Sequence, residues 1–200
     1  MAFTFFFRDS HSIEQALKYF LPIINGYRRI KIWDAGCAMG PEPYTFAILL
    51  AEKIGYFAFK NVEIDATDID ETDTFGKIIS AGVYPESELS RIPKEIFDKY
   101  FTKNEREGYF RISDNILNRV KFLKNDLLKL NPIGDNYNLI ICKNVLLHFQ
   151  PNERIEVIKM FHSALAPNEL LLTEQTQQVP EDISHLFNKI AADANVYQKV

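Results

Sequence analysis

The chain has 200 residues, 46% of them hydrophobic, 13% aromatic and 25% charged, with a formal net charge of -4. That length and composition predict one domain over residues 1–200 with one sizeable core, and argue against a disordered chain. A protein that grips nucleic acid through phosphates carries a basic face, so the charge balance speaks against a nucleic-acid partner. An acidic substrate then needs a local basic site.

The two cysteines, Cys37 and Cys142, sit at apolar positions with no paired Cys or His spacing. They read as small buried side chains, with no metal site. The apolar start (residues 1–7) is interrupted by Arg8 and Asp9, too early for a signal peptide or a membrane span. A cytoplasmic protein without membrane insertion is expected.

In chain order, Ile13, Ala16, Leu17, Phe20 and Ile24 follow helix spacing and predict a helix over 12–24, ended by Asn25-Gly26. Residues 30–35 form a short apolar run that reads as a buried strand. A helix over 43–54, with proline in its first turn, is followed by a strand over 62–67 and a helix over 70–80 that stops near Gly82. Residues 83–118 are more polar, with a helical piece at 93–100 and a hairpin near 109–112, and read as a small inserted subdomain. Strands follow at 120–123 and 137–142, then a helix over 152–165 stopped by Pro167, then strands at 170–173 and 194–199. Alternation of strands and helices predicts an α/β fold, a mostly parallel sheet with helices on both faces. Ligands of such sheets lie beyond the carboxyl ends of the strands, here just after Ala35, Thr67, Leu123 and Cys142.

The first of these ends reads Asp34-Ala35-Gly36-Cys37-Ala38-Met39-Gly40. The small residues Gly36, Ala38 and Gly40 let the backbone approach a ligand closely. The same string also makes a tight strand-to-helix turn with no ligand, and on this loop alone both readings stand. If a nucleotide binds, the neighbours discriminate. A dinucleotide loop needs Gly or Ala where Pro41 stands, and Pro41 has no N–H for a pyrophosphate. Glu42 repels phosphate but suits a cation such as the sulfonium or amino group of S-adenosylmethionine (SAM).

At the second strand end, a carboxylate can accept both ribose hydroxyls of an adenosine, and Asp68 is assigned that role. Asp70 is assigned the cap of the following helix. At the third, Asp126 can accept from an adenine amino group while Leu127 packs on the ring; a plain turn fits equally. At the fourth, Cys142-Lys143-Asn144-Val145-Leu146-Leu147-His148 lacks the Asn/Asp-Pro-Pro-aromatic turn of enzymes that methylate base amines, and the Pro-Cys turn of C5-cytosine enzymes. His148 is a candidate base, against the alternative of a partly buried packing residue.

Thr4-Phe5-Phe6-Phe7-Arg8-Asp9, Gly40-Pro41-Glu42-Pro43-Tyr44, Ala66-Thr67-Asp68-Ile69-Asp70 and Cys142-Lys143-Asn144-Val145 together resemble the chemotaxis receptor methyltransferase (CheR) family, from about residue 4 to residue 199. The resemblance implies a Rossmann-like class I SAM-dependent methyltransferase fold. It implies the cofactor SAM, with S-adenosylhomocysteine (SAH) as product, and methyl transfer to glutamate side chains of chemoreceptors. By the same resemblance Thr4 and Arg8 flank the cofactor and substrate, and Glu42 lies near the methionine end. Asp68 holds the ribose, Asp126 and Leu127 lie near adenine, and Asn144 and Val145 lie beside the methionine part.

The sequence departs from the family pattern in four places. Lys143 replaces an arginine, His148 an active-site tyrosine, and Asp34 a small residue, while the family's N-terminal helical domain precedes the region matched here. Arg8 is the candidate that orients an acceptor carboxylate, against the alternative of a surface ion pair with Asp9 or Glu14. The acceptor is expected to be a protein or a small carboxylate. A different small-molecule acceptor, or SAM binding without catalysis, are the alternatives.

Overall fold

The computed structural model describes residues 4–200; the first three residues of the apolar start lie outside the described residues. Strands β1 (Ile30–Ala35) and β2 (Val62–Asp68) are followed by three short strands, β3 (Val83–Pro85), β4 (Phe101–Lys103) and β5 (Tyr109–Ile112). Then come β6 (Val120–Lys124), β7 (Tyr137–Cys142), β8 (Leu165–Thr173), β9 (Phe187–Lys189) and β10 (Asn195–Lys199). Seven of these form one sheet in the order β6-β2-β1-β7-β8-β10-β9. The stretch β6-β2-β1-β7-β8 is parallel throughout, and β10 enters antiparallel between β8 and β9. This is the 3-2-1-4-5 core of a Rossmann-like sheet. The chain direction of winding reverses between β1 and β7, so the crevice opens at the carboxyl ends of β1, β2 and β7.

Period-2 alternation in the central strands feeds two cores, one on each face of the sheet. Ile30 and Ile32 of β1, Leu139 and Ile141 of β7, and Leu170 and Leu172 of β8 enter one core. Helices α1 (Ser10–Ile24), α2 (Pro41–Phe59) and α3 (Phe75–Ala81) cover it. Trp33 and Ala35, Ile140 and Cys142, and Leu171 enter the other, under α7 (Pro151–Ala164). Both faces being covered explains why these strands are apolar runs rather than alternating ones. Among the described residues, no helix is long and apolar enough to cross a membrane.

Residues 83–118 hold a second sheet in the order β3-β5-β4, with short helices α4 (Glu86–Leu89), α5 (Lys94–Tyr100) and α6 (Asp114–Leu117). Phe6, from the segment before α1, is fully buried and packs edge-on against Tyr84 and Phe101 of this unit. Phe6 is thereby wedged between the small sheet and the main core.

Three elements differ from expectation for identifiable reasons. Helix α2 runs from Pro41 to Phe59 and bends at Gly55, whose φ of 75° is left-handed. The helix expected over 70–80 begins only at Phe75, because residues 70–74 form a turn around the Asp70 carboxylate. That carboxylate accepts from the amides of Thr74 and Phe75 through one oxygen and of Gly76 through the other. Pro167 does not end the preceding helix; it lies inside β8, where the pairing with β7 shifts register between Tyr137 and Leu139. A bulge is the place in a strand where a residue lacking an N–H is tolerated. Strand β9, three residues long with one buried side chain, carries too little pattern to be read from sequence.

Asp70 is 3% exposed. Burial pushes its carboxyl up, but the amides of Phe75, Gly76 and Thr74 outweigh that and hold it below the usual carboxylate range. Asp70→Ala is therefore expected to lower stability by about 1–2 kcal/mol in urea unfolding at neutral pH, as for a lost helix cap. A lowered folded-state pKa means the contribution is complete above the unfolded pKa of about 3.9, and fades as pH falls through the lower folded value. The gap between wild type and variant should close in acid; a gap that stays constant contradicts the assignment.

Candidate active site

Three loops meet at the crevice, and each is fixed by the strand end beside it. After β1 the chain turns through Gly36, at φ 104°, Ala38, at φ 48°, and Gly40, at φ 101°. A Cβ on Gly36 would stand 2.1 Å from Cγ2 of Val145, so glycine is required there for the β1 and β7 loops to touch. The amides of Gly36 and Cys37 both donate to the Thr67 carbonyl, at 2.7 and 2.9 Å. The amide of Ala38 donates to Oδ2 of Asp68 at 2.9 Å, and that of Gly40 to the Cys37 carbonyl at 3.0 Å. Four of the loop's amides are thus engaged within the protein, and Pro41 has none. A pyrophosphate would find no row of donors here, which removes the dinucleotide reading on structural grounds.

Asp68 closes the opposite wall. Besides the Ala38 amide it accepts the Asp70 amide at 3.3 Å. A carboxylate has about four acceptor positions, so capacity for a ligand's hydroxyls remains. Glu42, in the first turn of α2, and Lys143, just past β7, form the floor. The Lys143 side chain is 0% exposed, with Nζ 3.1 Å from Oδ2 of Asp9 and 3.5 Å from Oε2 of Glu42. Burial pushes the Glu42 carboxyl up, and Lys143 and Arg8 offset part of that rise.

The third wall is the segment before α1. Its Phe7 amide donates to Oγ1 of Thr45 at 3.0 Å, and an Arg8 guanidinium nitrogen donates to Oδ1 of Asn144 at 3.1 Å. Phe7 and Asp9 both take left-handed backbone angles, φ 58° and 48°, on either side of Arg8.

The resulting cavity has a volume of about 460 Å³, within the usual range for small-molecule sites, ~300–1,000 Å³. Of the residues predicted from sequence, Thr4, Arg8, Gly36, Ala38, Glu42, Asp68, Asn144, Val145 and His148 all line it. Three do not. Gly40 lies beneath the loop, where a Cβ would meet Ile79 and the Tyr84 hydroxyl at 2.7 Å; its role is packing. Asp126 caps a short 3-10 turn, accepting the Leu128 amide at 3.0 Å, and lines a separate hollow of about 430 Å³ with Ile69 and Asn125. Leu127 is buried in the core under α7.

His148 is exposed at the rim rather than packed inside, and Asp9 pairs with Lys143 rather than with Arg8. Sequence reasoning did not assign Lys143, Thr45, Phe5 and Leu147 to the site, although all four line it. Only Lys143 carried a signal, a lysine directly after the apolar run Leu139 to Cys142. Cys37 and Cys142 are free and buried; Cys37 also lines the cavity, and burial pushes its thiol up, so neither is a poised nucleophile.

Removing the ammonium of Lys143 leaves the largely buried Glu42 carboxylate without its cation and facing the partly exposed Asp9. Lys143→Met is expected to destabilise the domain by about 3–5 kcal/mol, the loss typical of one partner of a buried pair, measured by denaturant unfolding. A loss under about 1 kcal/mol contradicts the buried network, because that is the range of an exposed pair.

The residues present suit an adenosyl sulfonium: an acid for ribose hydroxyls, an acid on the floor for a cation, and a loop with no row of free amides for phosphate. Comparison with known proteins agrees. The CheR methyltransferase, SAM binding domain, matches residues 2–196. A probable chemotaxis protein methyltransferase of Rhizobium etli is 27% identical, over 94% of this chain and 72% of its own length. Chemotaxis protein methyltransferases of Borreliella burgdorferi and Vibrio anguillarum are 31% and 30% identical, over 88% and 98% of this chain and 64% and 72% of their own lengths. The chain belongs to the CheR methyltransferase family, to its SAM-binding domain, and is a SAM-dependent methyltransferase.

Proposed function

We propose that this domain methylates a carboxylate, as the O-methylation of a glutamate side chain on a receptor-type protein. The observation that carries this reading is the placement of Arg8, with its guanidinium against Asn144, on a cavity whose other walls are Glu42 and Asp68. A guanidinium holds a carboxylate with two parallel bonds, and a cation lining the cavity attracts an anionic acceptor.

The cofactor, when bound, supplies an electrophilic methyl group on a sulfonium. The chain's own residues bind and align. Asp68 takes the ribose and Glu42 the cationic methionine end, while Asn144 and Val145 flank that end. The hollow beside Asp126 and Ile69 takes the adenine side, with Asp126 acting through its turn rather than from within the main cavity. A glutamate with a pKa of about 4.3 is ionised at neutral pH, so no base is needed. The protein's work is to hold oxygen, methyl carbon and sulfur in line and to exclude water. Sulfonium and carboxylate neutralise each other on transfer, so a dry site favours the product side. His148, exposed at the rim, stands where it can hydrogen-bond the incoming acceptor rather than take a proton from it.

Asp68→Ala should weaken SAM binding by about 1–3 kcal/mol in calorimetric titration, as for an unpaired buried hydrogen-bonding group; unchanged affinity contradicts the ribose assignment. Arg8→Ala should bind SAM within a few-fold of wild type yet lose at least about tenfold in methyl transfer to a receptor cytoplasmic fragment, the loss of a contact made to the acceptor. A large drop in SAM affinity would move Arg8 to the cofactor. Transfer to free dicarboxylic acids but not to the receptor fragment would replace the protein acceptor by a small one.

A further inference from the structure

Among the described acids at and around the cavity, two are buried with no hydrogen-bond partner on either carboxyl oxygen: Asp34, and Glu174 just past β8, beside Asn144 and Leu147. Asp9 meets Lys143 and the Ser12 hydroxyl, Glu42 meets Lys143, and Asp68 accepts two amides. Asp34, the penultimate residue of β1, is 0% exposed, and neither of its carboxyl oxygens has a hydrogen-bond partner among the described residues. A buried polar group in that condition needs an explanation, and a bare charge there would be costly.

Its surroundings supply one. The charged and titratable groups that face it are Glu42 from α2, Lys143 from the end of β7 and Asp68 from the end of β2, with the thiols of Cys37 and Cys142. Burial, then the Glu42 carboxylate, push the Asp34 carboxyl well above its ordinary range, and Lys143 opposes them only in part. The floor of the cavity therefore holds one ammonium served by Glu42 and Asp9, and Asp34, which does not itself line the cavity, adds a carboxyl near them.

SAM and SAH both carry an α-ammonium group. When it reaches Glu42, two cations compete for that carboxylate in a space largely closed to water. We propose that Asp34 holds a proton in the ligand-free domain and releases it to solvent on binding, so that its carboxylate balances Lys143 while Glu42 serves the ligand's ammonium. Only the Asp34 O–H bond breaks, and the proton passes to the buffer. The inference rests on the SAM site assigned above.

The test is calorimetric titration of the intact domain with SAH, which cannot transfer methyl, at about pH 6.5, below the range in which free amino groups titrate. Heats measured in buffers of different ionisation enthalpy give the protons released. Wild type should release close to one proton per SAH, and its affinity should rise by up to about tenfold per pH unit while Asp34 is protonated beforehand. Asp34→Asn should bind SAH with release near zero and a flat pH profile.

Infrared difference spectra with carboxyl-labelled aspartate separate Asp34 from Glu42, from Glu174 and from the exposed His148. A protonated-aspartate carbonyl band should vanish on saturation with SAH. Binding without proton release, equal release by Asp34→Asn, or a band that survives saturation overturns the proposal while leaving the SAM site intact. Should Asp34→Asn fail to fold, the wild-type proton count and band decide alone. Failure of SAH to bind at all overturns the SAM site and this inference with it.

Discussion

Burying an ammonium group costs several kcal/mol unless carboxylates surround it, and the Lys143 ammonium is buried where four segments of this chain converge. Asp9 comes from the segment before α1, Glu42 from the first turn of α2, Asp34 from β1, and Lys143 itself from the end of β7. None of these segments satisfies the charge alone. Satisfying it brings the N-terminal segment against the sheet, and with it Arg8 and Thr4. The site's shape follows from this electrostatic requirement as much as from the apolar cores on either side.

The sheet supplies the rest. Reversal of winding between β1 and β7 leaves a crevice, and the loops that border it are pinned by β2: Thr67 receives two amides of the β1 loop and Asp68 a third. This engages the donors that a phosphate would use and leaves carboxylates facing the cavity. The same backbone frame that holds dinucleotides in other Rossmann-like folds is thereby given a preference for a cationic, phosphate-free nucleotide. Pro41 enforces that choice by removing one more donor, and Glu42 by its charge.

The main sheet was legible because its strands are apolar on both faces and its helices keep their spacing; β1 and β7 fall where the sequence places them. The Asp70 cap was legible too, but the start of α3 was not, because Asp70 gathers three amides into a turn that moves the helix start to Phe75. Pro167 misled in the opposite direction, since the bulge that accommodates it depends on pairing with β7.

In the site, residues adjacent to strand ends were legible from their place in the topology. Lys143 and Asp34 were visible as departures from the family pattern, but their mutual proximity is a product of the fold, joining positions more than 100 residues apart. Gly40 and Leu127 show the converse: small or apolar residues in the right loops turn out to serve packing.

The chemistry proposed for this domain requires an adenosyl group in the crevice between Gly36 and Asp68. A crystal structure of the domain grown with SAH is the decisive measurement. Ligand density is expected there, with the ribose against Asp68 and the amino-acid end against Glu42 and Asn144. Density elsewhere on the molecule, or an unfilled crevice at saturating SAH, would contradict it.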